Sequence, residues 1–81
     1  MLRSESEIEK SVVEWLRAEL DDSEITADDN FLDIGGHSLT FARLNAFLAD
    51  AHGAALDMKT AYDHSLATAV AASTPAPSQA S

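Results

Sequence analysis

The feature that most constrains the fold is a pair of helical patterns separated by a long irregular segment. In the first pattern, apolar residues recur with the spacing of one helix face at Ile8, Val12, Trp15, Leu16 and Leu20. Ser4 and Glu7 have the spacing of a capping box, which is typical of a helix start. We therefore predict a first helix over about residues 4–20.

The second helical pattern follows Ser38, a residue type that is favoured at helix starts. The run Leu39–Ala51 contains no Gly or Pro, and Gly53 suits the position just after a helix C-terminus. A helical projection gives a core face of Leu44, Phe47, Leu48 and Ala51, with Phe41 at its margin. The opposite side holds Leu39, Ala42, Arg43 and Asp50. Leu39 is therefore predicted to be at least partly exposed.

The segment Asp21–His37 has no sustained period and is rich in Asp, Ser, Asn and Gly. We interpret it as a long loop pinned to the core by apolar anchors at Ile25, Phe31, Leu32 and Ile34. Loops of this length are uncommon in compact domains and are often functional. This loop is therefore the first place to look for a site.

The C-terminal part predicts a short helix near Met58–Tyr62 and a last helix of about eight residues capped by Ser65. Residues 73–81 contain no large apolar side chain, so we expect a disordered tail or linker stump there. No strand-like alternation is apparent. The patterns together predict an all-α four-helix bundle with three main helices and one short one, in a single domain over residues 1–72.

Composition excludes several classes of function. The 81 residues include no cysteine, which rules out a disulfide scaffold, a cysteine nucleophile and a thiolate zinc site. Fourteen acidic against five basic residues give a formal charge of -9, which disfavours nucleic acid and anionic lipid as partners and favours enzymes with basic patches. With no signal peptide and no apolar run long enough for a membrane span, we expect a cytoplasmic protein.

The most informative string is Asp29–Leu39, which reads DNFLDIGGHSL. It resembles the FxxxGGHSL motif of peptidyl carrier proteins, the thiolation domains of nonribosomal peptide synthetases. The matching residues are Phe31, Gly35, Gly36, His37, Ser38 and Leu39. The resemblance extends over residues 5–72 and includes Arg43, Leu44 and the stretch 61–65. Two residues depart from the family pattern: Ser65 replaces a common proline, and Phe41 is bulkier than usual, with a role that stays open.

The resemblance implies a non-catalytic carrier with a four-helix bundle fold of the acyl or peptidyl carrier type, its 4′-phosphopantetheine attached to Ser38. It also implies priming by a phosphopantetheinyl transferase, loading by an adenylation enzyme, and presentation of an aminoacyl or peptidyl thioester to tailoring, condensation or thioesterase partners. We expect a free-standing monomer, although an excised domain with an added start codon would have the same sequence. The expected partner-binding residues are His37, Leu39, Ala42, Arg43, Met58 and Ala61.

The chemistry of these residues agrees with that expectation. A serine in the first turn of a helix lies near unpaired N–H groups, where a phosphodiester anion is favoured. Gly35 and Gly36 permit backbone angles closed to other residues, and their lack of bulk would let a modifying enzyme approach. The phosphopantetheine arm would supply the thiol that the chain itself lacks.

Two other protein classes remain as alternatives. An acyl carrier of a polyketide-type pathway would usually show Asp-Ser-Leu, whereas His37 precedes Ser38 here. An unmodified helical adaptor could bind partners through Leu39 and the acidic surface.

Enzymatic and metal-binding interpretations are weaker. Gly36–Thr40 half resembles a nucleophile elbow, but it lacks the closing glycine and the chain is too short for the required strands. His37 as a general base has no clear carboxylate partner, so an exposed histidine that contacts partners is preferred. His52 and His64 lack metal-pair spacing, and Leu32 and Asp33 break an EF-hand pattern. We predict no metal.

Overall fold

The computed structural model of the protein describes residues 5–76. Its four helices are α1 (Glu5–Glu19), α2 (Ser38–His52), α3 (Met58–Asp63) and α4 (Leu66–Ala71). Two short strands, β1 (Ala54–Ala55) and β2 (Thr74–Pro75), form an antiparallel pair. The predicted all-α, four-helix fold is confirmed, but two helices rather than the predicted three are long, since α4 is as short as α3.

The core lies where α1 packs against α4 and α2. Its largest fully buried side chains come from these three helices and from the long loop before α2: Phe31, Leu16, Ile25, Leu44, Leu48, Leu66, Val12 and Val70. Trp15 and Phe47 border this core, where their rings stack with centroids 6.2 Å apart. The loop therefore contributes two of these core side chains, Ile25 and Phe31.

Local capping explains where the helices begin and end. Gly53 follows α2 in the left-handed conformation, with φ of 64°, and its N–H donates to the Ala49 carbonyl at 3.1 Å. The Ser65 hydroxyl accepts a hydrogen bond from the Thr68 N–H at 3.2 Å at the start of α4. Both predicted caps are confirmed. Asp57 caps α3 in the same way, through the N–H of Thr60.

The C-terminal region differs from the sequence prediction in two respects. α4 has six residues rather than about eight. Ala54 pairs with Pro75 and Ala55 with Thr74, and the Ala76 N–H donates to the Gly53 carbonyl at 2.9 Å. These strands were not predicted because two residues are too few to show alternation.

β2 lies in the segment that we expected to be a tail. This segment is bonded to the folded part of the chain as far as Ala76, through β1 and Gly53. Residues 77–81 of that tail lie outside the described part of the chain, as does the predicted helix start at Ser4. Within residues 5–76, no helix has the length and apolar character that crossing a membrane requires.

Candidate functional site

The loop that leads to α2 is held by buried apolar side chains, as predicted, but one of the four expected anchors is wrong. Ile25 and Phe31 are fully buried, and Ile34 packs against the core. Leu32, in contrast, is 45% exposed. The chain turns directly after Phe31, where the Ile34 N–H donates to the Asn30 carbonyl at 3.3 Å, and this turn directs Leu32 outward.

Asn30 organises the same turn, and the sequence analysis did not identify it. Its side-chain amide donates to the carbonyls of Tyr62 and His64, each at 2.9 Å. Its side-chain oxygen accepts the N–H of Leu32 at 2.8 Å and that of Asp33 at 3.2 Å. An asparagine side chain that accepts the N–H two residues later forms an Asx-turn. This pattern could have indicated the bonds from Asn30 to Leu32 and Asp33. The contacts to α3 have no local sequence pattern.

The two glycines before the serine have different physical roles. Gly35 has a φ of 95°, which side-chain-bearing residues rarely adopt, so its predicted conformational role is confirmed. A Cβ on Gly36 would lie 2.5 to 2.7 Å from three atoms of the Phe31 ring. Gly36 thus has no room for a side chain, because the Phe31 ring occupies that space. Its φ is not positive, so the predicted need for backbone angles closed to other residues holds at Gly35 and is wrong at Gly36.

Ser38 is the first residue of α2, and it is exposed. The first N–H bonded within the helix is that of Phe41, which donates to the His37 carbonyl at 2.8 Å. The N–H groups before it therefore lack helical partners. Within residues 5–76, the Ser38 hydroxyl has no hydrogen-bond partner, and the N-cap residue His37 makes no side-chain capping bond.

The His37 side chain contacts Thr40 instead of Ser38. Its Nε2 lies 3.3 Å from the Thr40 Oγ1, and Thr40 is buried. This contact satisfies a polar group that would otherwise be buried unpaired. Among the described residues, no imidazole lies in hydrogen-bonding contact with the Ser38 hydroxyl.

Five of the six expected partner-binding residues are exposed, and one is buried. Those that are exposed are His37, Leu39, Ala42, Arg43 and Met58. Leu39 is 59% exposed, as its helical phase predicts. Ala61 is only 1% exposed, because α3 turns this face into the core. Its side chain is not available to a partner, and its assignment to that surface is corrected.

Phe41, whose role was open, is a core residue. It is 5% exposed, and its ring meets those of Phe31 and Tyr62 edge to face, at centroid distances of 5.7 and 5.9 Å. Phe41 therefore does not widen the apolar surface around Leu39.

One cation of α2 and one of α3 are paired with carboxylates. Arg43 bonds Glu19 at 2.9 Å, which links α2 to the end of α1. Lys59 bonds Asp63 at 2.8 Å along α3. The Asp63 carboxylate raises the pKa of Lys59 by accepting this bond, and the ammonium lowers the pKa of Asp63. No group of three His, Asp or Glu side chains within residues 5–76 is placed to hold a metal ion.

Comparison with known proteins identifies the family. A family model described as a phosphopantetheine attachment site matches residues 6–72. No curated protein and no solved structure gives a significant match. The matched segment runs from the start of α1 to the residue after α4, and so covers nearly all of the described chain. The chain therefore belongs to the phosphopantetheine attachment family, and it is a carrier protein whose prosthetic group is 4′-phosphopantetheine.

Proposed function

We propose that the protein is a peptidyl carrier, which bears the 4′-phosphopantetheine on Ser38 and presents an aminoacyl or peptidyl thioester to enzymes of nonribosomal peptide biosynthesis. The observation that carries this proposal is the exposed hydroxyl of Ser38, which has no hydrogen-bond partner within residues 5–76 and begins the long helix α2. The Gly-Gly-His-Ser-Leu string around it supports the same assignment.

The surroundings of Ser38 fit the group that it would hold. In priming, the Ser38 oxygen bonds to the phosphorus of coenzyme A next to the pantetheine, while the bond from that phosphorus to adenosine 3′,5′-bisphosphate breaks. The serine proton leaves to a base of the transferase. The unpaired N–H groups at the start of α2 favour the phosphodiester anion that results. The bound group supplies a thiol, which this cysteine-free chain lacks.

The chain's own residues then serve recognition rather than catalysis. Carrier domains of this family are generally non-catalytic and are substrates of phosphopantetheinyl transferases. Leu39, 59% exposed beside the serine, offers such a partner an apolar contact. The formal charge of -9 would speed the encounter with basic surfaces.

The peptidyl type is preferred over the polyketide type because of one residue. His37 precedes Ser38, where carriers of fatty-acid or polyketide pathways usually have aspartate. Loading tests the distinction: an adenylation enzyme with ATP and an amino acid should acylate the primed protein, whereas a malonyl transferase with malonyl coenzyme A should not. Acylation by the malonyl transferase alone would favour the polyketide type.

The first prediction concerns priming. Incubation with coenzyme A, magnesium and a broad-specificity phosphopantetheinyl transferase should raise the intact mass by one phosphopantetheine. Ser38→Ala should abolish this gain and keep the far-ultraviolet helix signal, because an exposed helix-start serine contributes at most about 0.5–2 kcal/mol.

Three outcomes would contradict this assignment. An unchanged mass with a folded protein and an active transferase would remove the carrier function. Modification that persists in Ser38→Ala would move the site to another residue. Loss of helicity in Ser38→Ala would make the serine mainly structural.

A further inference from the structure

Three aromatic rings from separate parts of the chain meet below the loop that precedes Ser38. The Phe31 ring from the loop is fully buried and stacks on Tyr62 of α3, with centroids 5.8 Å apart and planes at 7°. Phe41 of α2 meets both rings edge to face. Each pair has a geometry that aromatic rings favour. The position of Phe31 is therefore set from two sides, by α2 and by α3.

The same Phe31 ring lies directly against Gly36, two residues before Ser38. The three ring atoms nearest to a hypothetical Gly36 Cβ lie only 2.5 to 2.7 Å from it, so ring and backbone are in close contact. The Gly36 N–H also donates to the Phe31 carbonyl at 3.1 Å. A shift of the ring would therefore be transmitted to Gly36 and to the residues that begin α2.

We propose that Tyr62 is a positioning residue for Ser38, and that it acts through Phe31 and Gly36. This inference rests on the proposed role of Ser38 as the attachment site. Tyr62 supplies the stacked face that fixes the tilt of the Phe31 ring. The ring in turn fixes the position of the Gly36 backbone, and through it the position of the first residues of α2.

The backbone of α3 is held independently of the Tyr62 side chain. The Asn30 amide donates to the Tyr62 and His64 carbonyls at 2.9 Å each, and the Leu66 N–H donates to the Asp29 carbonyl at 2.9 Å. These bonds do not involve the tyrosine ring. Replacing the ring should therefore loosen Phe31 while α3 stays attached to the loop.

The test measures steady-state priming by the transferase for Tyr62→Leu, with kcat and KM for the carrier determined separately. All variants are assayed at a temperature at which denaturation curves show them folded. Tyr62→Leu should lower kcat about tenfold, because small errors in the placement of a reacting group are costly. The KM should change less than about twofold, since the exposed side chains of α2 that would contact the transferase are not substituted.

Two control variants separate positioning from stability. Tyr62→Phe keeps the stacked ring and should restore the wild-type kcat. Val12→Ala removes buried volume from α1, outside the aromatic cluster, and should leave kcat and KM unchanged although it destabilises the fold. If Tyr62→Leu does not fold, Tyr62→Met takes its place, because methionine adapts to irregular spaces.

Each contrary result has its own meaning. An unchanged kcat in the folded Tyr62 variant would overturn the proposal, as would an equal loss in Val12→Ala. A raised KM with normal kcat would show that Tyr62 contacts the transferase directly, which also overturns it. Failure of the wild-type protein to be primed, or priming of Ser38→Ala, would instead overturn the function proposed above.

Discussion

The two ends of α2 are built in opposite ways. At its C-terminal end the backbone and side chains find partners. The Gly53 N–H donates to the Ala49 and Leu48 carbonyls, and the Gly53 carbonyl accepts the Ala76 N–H. His52 Nε2 lies 2.8 Å from the Ser11 hydroxyl of α1. This end is closed by contacts with the rest of the chain.

At the N-terminal end of α2, one hydroxyl group and one large apolar side chain are left without partners among the described residues. Within residues 5–76, the Ser38 hydroxyl has no hydrogen-bond partner, and Leu39 is 59% exposed. Beneath this open surface, Gly36 rests on the fully buried ring of Phe31. The contrast supports our proposal that recognition uses residues of α2 other than those that stabilise the fold. Substitutions at the two ends should therefore have separable effects.

The largest separation is expected within α2, between Leu44 and Leu39. Leu44 is fully buried, so Leu44→Ala should cost about 2–5 kcal/mol of unfolding free energy. Leu39→Ala should cost far less, because its side chain is already largely in water, yet it should slow priming or loading. Chemical denaturation and the priming rate of each variant measure the two effects. Equal destabilisation by both variants, with normal priming in Leu39→Ala, would contradict the division.

This separation could be predicted from sequence because it follows from helical geometry. The phase of α2 alone places Leu44 and Leu48 inward and Leu39 outward. The caps at Gly53 and Ser65 are similarly local, since a glycine conformation or a hydroxyl bond three residues away has a short sequence pattern.

The features that sequence did not predict depend on contacts between distant segments. Asn30 bonds to Tyr62 and His64, and no spacing in the chain marks that pairing. The exposure of Leu32 follows from the turn that Asn30 stabilises. Ala61 is buried because its short side chain faces the core, and a six-residue helix is too short to define an apolar face from its own sequence.

The second largest effect is expected at two asparagines that each hold a segment beside α2. Asn30 lies in the loop before the helix, and Asn45 lies halfway along it. Asn45 donates to the Leu56 carbonyl at 3.0 Å and accepts the Leu56 N–H at 2.9 Å. Asn45→Ala should cost about 1–3 kcal/mol, because both backbone groups lose their partner. Priming of the folded protein should stay normal, because Asn45 lies about two helical turns from Ser38 and holds the segment after α2 rather than the loop before it.

Asn30→Ala is the matched variant, since Asn30 makes corresponding bonds in the loop before Ser38. It should reduce both stability and the priming rate. Denaturation curves and intact-mass time courses distinguish the two variants. Impaired priming in folded Asn45→Ala, or normal priming in Asn30→Ala, would show that the segments before and after α2 do not act separately on Ser38.

The smallest effect concerns pH and the cap of α3. The pKa of the Asp57 carboxyl lies below its usual value of 3.8, mainly because it accepts the Thr60 N–H and also because it accepts the Thr60 hydroxyl. A lowered pKa in the folded state means that the ionised form stabilises the fold. This contribution is present above pH 3.8 and is lost as the pH falls through the lower folded value.

Asp57→Asn keeps a capping acceptor without a titrating group, so its stability should fall less steeply in acid than that of the wild type. Asp33→Asn, at an exposed aspartate that caps no helix, is the control and should keep the wild-type slope. Chemical denaturation at neutral pH and at several values below pH 3.8 measures the slopes, because the contribution of the ionised Asp57 is lost in that acid range. A wild-type slope in Asp57→Asn would show that the cap of α3 adds nothing to the acid sensitivity of the bundle. Priming at neutral pH should be normal in both variants, because neither substitution touches Ser38 or the aromatic cluster beneath it.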